Sequence, residues 1–71
     1  MIEIADSRDL GEAVRRERRA QGLTQTNLAD LSGVSLSFVL GLEHGKATAE
    51  LGKALRVVQT LGMDVFCQRR G

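Results

Sequence analysis

The chain has 71 residues, with ten Lys or Arg against nine Asp or Glu, one cysteine and one histidine. A single domain this short buries only about 60% of its unfolded surface; Cys67 has no partner for an internal disulfide, and with His44 as the sole histidine a zinc cluster is excluded, leaving association with a second copy as the available support. No apolar run approaches the roughly 20 residues of a membrane span, and the start Met1-Ile2-Glu3 lacks the basic and apolar parts of a signal peptide, so the expected setting is a reducing cytoplasm.

Glycines punctuate a chain without proline. Asp6 or Ser7 can cap a first helix running to residue 21, with Leu10, Ala13, Val14 and Ala20 on its apolar side and Gly22 as terminator. Thr24 caps a second helix over 25–31, where Leu28, Ala29 and Leu31 recur at helical spacing. Ser32-Gly33 reads as a tight turn, glycine being the residue that tolerates positive φ. Ser35 caps a third helix over 36–43, with Val39 and Leu42 inward, and Gly45 ends it. Thr48 opens a longer helix to residue 61 along a stripe of Leu51, Ala54, Leu55, Val58 and Leu61, stopped by Gly62. The tail Met63-Asp64-Val65-Phe66-Cys67-Gln68 carries β-formers and reads as a strand, and Ile2-Glu3-Ile4 alternates in the same manner. A lone strand is unstable, so each needs a partner; the competing reading of the tail is a frayed terminus. With no repeat and no linker, residues 1–62 form the folded body and 63–71 a tail of the same domain.

Residues 21–45 carry the function. Two short helices, each with a hydroxyl cap, meet at a turn through Gly33, which is how a helix-turn-helix is built. Ala29 is small enough for the second helix to cross closely, and Val34, Val39 and Leu42 are apolar enough to hold the pair at a fixed angle. The expected fold is all-α, a compact bundle of four to five helices ending in the short strand. Phe38 and Phe66 are the only aromatics, too few for a platform that stacks single-stranded bases. Catalysis is rejected: His44 and Cys67 lie on separate elements, and Glu12, Glu17 and Asp30 fall on polar helix faces. No cofactor is implied.

Leu23-Thr24-Gln25, Leu28-Ala29, Ser32-Gly33-Val34-Ser35 and Leu42-Glu43-His44-Gly45 together resemble the lambda-repressor-like, or Xre, DNA-binding domain, over roughly residues 8–62. Within that family, the run from Gly45 to Lys53 and the ending Leu61-Gly62-Met63 are most similar to HipB-type antitoxins, small dimeric repressors that also restrain a partner kinase toxin. Ala47 stands where many relatives have proline, which should loosen that loop without changing the fold.

The resemblance implies residue roles. Gln25 is placed on a DNA phosphate, assisted by the free N–H groups of its helix, with Thr24 beside it; the competing reading of Gln25 is a solvated helix-start residue. Ser35, Leu36 and Ser37 open the recognition helix, whose first turn meets base edges in the major groove of double-stranded DNA. Serine bonds several bases and leucine packs on a thymine methyl, although Ser35 also serves as a cap and Leu36 can be a merely exposed leucine. Leu40 and Gly41 lie one turn further on; Gly41 either permits close backbone approach to DNA or is simply tolerated. Lys46 and Thr48 are phosphate candidates beside the start of the fourth helix. Arg18 and Glu43 match positions that form a partly buried structural ion pair. Phe38 reads as packing and His44 as a solvated turn residue. Arg15, Arg16 and Arg19 read as a solvated face, with phosphate or toxin contact as the alternative.

Two settings follow for such a repressor. As an antitoxin it would bind a HipA-like kinase and regulate its own operon. As a phage-type repressor or restriction–modification controller it would have no toxin partner. The antitoxin is the favoured setting, because Met63, Val65, Phe66 and Cys67 would pair with a symmetry mate as in HipB-like proteins, forming a homodimer whose recognition helices lie about 34–36 Å apart on a palindromic operator.

Overall fold

The computed structural model describes residues 2–71. Four helices follow one another along the chain: α1 (Ser7–Ala20), α2 (Gln25–Ser32), α3 (Leu36–Glu43) and α4 (Leu51–Thr60). Each begins where a side chain accepts a backbone N–H that has no partner inside the helix. Asp6 accepts from Asp9 N at 3.0 Å, and Ser35 Oγ from Phe38 N at 3.0 Å. At α2 the exchange is mutual: Thr24 Oγ1 accepts from Asn27 N at 3.0 Å while Thr24 N donates to Asn27 Oδ1 at 3.1 Å. Gly33 closes α2 in the left-handed region at φ 69°, and Val34 N then donates to Ala29 O at 3.0 Å.

Helix α2 packs on both α3 and α4, and α1 packs on α3. Val14, Leu28, Ala29, Val39, Leu42, Ala54, Val57, Val58 and Leu61 form the buried core, with Leu10, Leu23, Val34, Phe38, Ala49 and Met63 packed around it. Burying each of the larger aliphatic side chains contributes about 1.5–3 kcal/mol. Two polar groups lock the bundle across long chain separations. Gln21 Nε2 donates to Leu61 O at 2.7 Å, joining the ends of α1 and α4. Ser7 Oγ donates to Gly45 O at 2.9 Å, fastening the start of α1 to the loop after α3.

Helices α1 and α3 approach closely at Gly11. A Cβ at Gly11 would sit 2.2 Å from Leu42 O and 3.0 Å from Glu43 O, so only glycine lets the two backbones meet there.

The structure corrects several expectations. Of the four to five helices expected, four form among the described residues, and residues 63–71 carry no strand. A strand is defined by hydrogen bonds to a neighbouring strand, and within one chain the tail has none. The segment Ile2-Glu3-Ile4 forms no strand either; Ile2 and Glu3 line a shallow hollow against Asp9, Glu12, Ala13 and Arg16 of α1. The fourth helix begins at Leu51 and not at Thr48. A turn closed by Ala49 N donating to Lys46 O at 3.2 Å occupies residues 46–49, and Glu50 supplies the cap, accepting from Lys53 N at 3.2 Å. Ala20, Leu31 and Leu51 face solvent, the two leucines 64% and 67% exposed, where the apolar spacing placed them inward.

Candidate nucleic-acid interface

Helix α3 is eight residues long and buries Val39 and Leu42 on one side. At 100° per residue the opposite side presents Ser37, Leu40 and Gly41, and Leu36 stands at the margin between the two sides. Leu36 is 42% and Leu40 36% exposed, so two leucines stand in water beside a serine and a glycine on a helix whose core side is already filled. The helix start is held by Ser35, and at its end His44 Nδ1 lies 2.8 Å from Leu40 O.

Beside this face lies an open concavity of about 240 Å³. It is lined by Ser35, Ser37, Phe38, Gly41 and Leu42 of the α3 region, by Lys46, Thr48 and Ala49 of the following turn, and by Glu50 and Lys53 at the start of α4. Five residues singled out from the sequence, namely Ser35, Ser37, Gly41, Lys46 and Thr48, therefore meet in one hollow. Leu36 and Leu40 share the helix face without lining the hollow. Lys53 was missed, because only the fold carries it to α3; its Nζ stands 6.0 Å from the centre of the Phe38 ring. The expected help from the N-terminus of α4 is reduced, since the Glu50 carboxylate already takes the Lys53 amide.

Thr24 and Gln25 occupy the start of α2, outside the hollow. Gln25 Nε2 donates to Glu43 Oε1 at 3.1 Å. Glu43 is in turn gripped by Arg18, whose Nε donates to Oε2 at 2.7 Å and whose Nη2 donates to Oε1 at 3.1 Å. Arg18 Nη1 also donates to Leu23 O at 2.8 Å. The Arg18 and Glu43 side chains are 9% and 2% exposed, so this network joins α1, the turn before α2, the start of α2 and the end of α3 largely away from water. Arg15, Arg16 and Arg19 are exposed on α1, with Arg16 3.7 Å from Glu12 in a solvated pair of the kind that adds little stability.

Gly11 was also missed. Its signal in the sequence is an isolated glycine within a helical pattern, which raises the question of a close contact without naming the partner.

Two short helices at a glycine turn, with the second presenting a solvent face beside two lysines, are the parts of a helix-turn-helix. The helix-turn-helix family HTH_3 matches residues 14–66. The chain belongs to that family.

This helix-turn-helix protein is 49% identical over 57 residues to the uncharacterized HTH-type transcriptional regulator y4mF of Sinorhizobium fredii, a match covering 80% of this chain and 75% of the relative. It is 35% identical over 51 residues to an uncharacterized HTH-type transcriptional regulator of Methanothermobacter thermautotrophicus, covering 72% and 74% of the two chains. Among solved structures, it superposes on HipB in the HipB-O4 20mer complex with a TM-score of 0.86 at 21% identity, over 99% of this chain and all of that one. The restriction-modification controller protein C.AhdI of Aeromonas hydrophila matches with a TM-score of 0.73 at 37% identity, over 84% of this chain and 87% of that one. These comparisons identify a DNA-binding transcriptional regulator of the helix-turn-helix type. Among the described residues no helix is long and apolar enough to cross a membrane.

Proposed function

We propose that the chain is a homodimeric repressor that reads a palindromic operator in double-stranded DNA. The observation that carries this reading is the solvent face of α3, where Ser37, Leu40 and Gly41 lie opposite the buried Val39 and Leu42, with Leu36 exposed at the margin. Leucine on a thymine methyl and serine on base edges are the contacts that face offers, with Ser35 adding a hydroxyl at the helix start. Thr24 and Gln25 on one side, and Lys46 and Thr48 on the other, provide phosphate contacts that set the register of α3 in the groove.

Dimerisation rests on residues 63–71. Val65 is 58% and Phe66 73% exposed, and Cys67 is exposed beside them. Met63 anchors the start of the tail to the core. Pairing with the same segment of a second copy would cover these apolar side chains and supply the strand hydrogen bonds that one chain lacks.

Within this reading the protein serves as an antitoxin that regulates its own operon and binds a HipA-like kinase, as the runs from Gly45 to Lys53 and from Leu61 to Met63 suggest. The 37% identity to a restriction-modification controller favours a second setting, a controller without a toxin.

Duplex from upstream of the chain's own gene, titrated with and without the neighbouring gene's product, tests both. Saturable binding that changes when a kinase-like neighbour is added supports the antitoxin. Binding indifferent to the neighbour supports the controller. Absence of binding at low salt removes the operator reading altogether. Light scattering of the full chain and of one ending at Met63 tests the dimer, since a shortened chain that stays dimeric excludes the tail as its interface.

A further inference from the structure

We propose that Lys46 and Lys53, seated on Gly41 and Phe38 of α3, form a two-lysine clamp for one backbone phosphate of duplex DNA at the edge of the base-reading face. This rests on the reading of α3 as the recognition helix and adds to it a contact from a different element, α4.

The seats are specific. Lys46 N donates to Gly41 O at 3.0 Å, and a Cβ built on Gly41 would lie 3.4 Å from Lys46 Cδ and 3.8 Å from Lys46 Cβ. The aliphatic stem of Lys46 therefore runs over the bare surface of Gly41. Three residues earlier on the same flank, Phe38 holds the Lys53 ammonium 6.0 Å from its ring centre. Two cations from separate elements thus converge on one concavity.

Neither lysine has an ion-pair partner within 4.0 Å among the described residues. The one carboxylate in the hollow, Glu50, is folded onto the start of α4, where it accepts the Lys53 amide at 3.2 Å. Glycine at position 52 leaves room for that fold, since a Cβ there would meet Glu50 Oε1 at 2.8 Å. The ammonium groups remain available to an oxyanion from outside, and the Ser37 and Thr48 hydroxyls lining the same hollow add donors. A DNA phosphate is the anion this arrangement suits, because the hollow adjoins the helix face that would lie in the groove.

The full chain is titrated against two labelled duplexes of equal length, one from upstream of its own gene and one of random sequence, over a series of salt concentrations. Lys53→Gln is expected to weaken binding to both duplexes by the same factor. It should also reduce the slope of log affinity against log salt by about 0.9 for each bound protomer. Lys53→Arg should restore the slope. Arg56→Gln removes the same charge from an exposed position on α4, outside the hollow, and should leave the slope at the wild-type value. A Lys53→Gln slope equal to wild type would overturn the clamp, as would an equal fall with Arg56→Gln, which would reduce the effect to net charge. A wild-type chain that binds neither duplex fails before any variant is compared, and that result counts against the operator reading itself.

Discussion

Gln25 donates its side-chain amide to Glu43 Oε1 at 3.1 Å, so the residue assigned to a DNA phosphate is fastened to the end of the recognition helix. The contact has Gln25 hold α2 against α3, beside the phosphate contact proposed for it.

Gln25→Ala should therefore lower stability by about 1 kcal/mol and weaken binding to operator and random duplex alike. Urea denaturation without DNA measures the first effect and a binding titration the second. A loss confined to the operator would reassign Gln25 to base reading.

The Arg18–Glu43 pair is buried, and such a pair is costly to break from one side. Arg18→Met should destabilise the chain by about 3–5 kcal/mol, because it leaves the Glu43 carboxylate in the interior without its partner. The double variant Arg18→Met with Glu43→Leu should recover much of that loss. If the double variant is no more stable than the single one, the cost lies in packing and not in the stranded charge.

Two helical glycines should respond in opposite directions to alanine. Gly11→Ala drives a Cβ into Leu42 O, and since both are backbone-borne, α1 and α3 must separate. A cost of about 1–3 kcal/mol from overpacking outweighs the gain in helix propensity. Gly41→Ala meets only the flexible stem of Lys46, so it should stabilise by about 0.5–1 kcal/mol. Midpoints of urea unfolding that shift in the same direction for both variants would contradict this account of the α1–α3 crossing.

Ser32 is 3% exposed, and its Oγ is buried with no hydrogen-bond partner among the described residues. Ser32→Ala removes that hydroxyl and raises helix propensity, and it should stabilise the chain by about 1 kcal/mol. A fall in melting temperature would show that the hydroxyl is bonded in solution.

What the sequence determined by itself is local. Asp6, Thr24 and Ser35 each cap a helix through an amide three residues on, and Gly33 alone adopts the backbone that turns α2 into α3. Such relations span a few residues, so composition and spacing expose them, and with them the helix-turn-helix; the hollow-facing Ser35, Ser37 and Gly41 came from the family resemblance. The start of α4 was the local failure. Thr48 and Glu50 can both cap, and the turn over residues 46–49 decided between them.

Tertiary structure decided the rest. Apolar spacing places Leu31 and Leu51 inward, but only the packed bundle shows that no neighbour covers them. The Gln21–Leu61 bond, the Gly11–Leu42 crossing and the placing of Lys53 over Phe38 join residues 40, 31 and 15 positions apart. Their partners are selected by how the helices cross, a property of the whole core that no window of sequence contains. The tail is the limiting case, because a strand needs hydrogen bonds from a neighbouring strand and one chain offers residues 63–71 none.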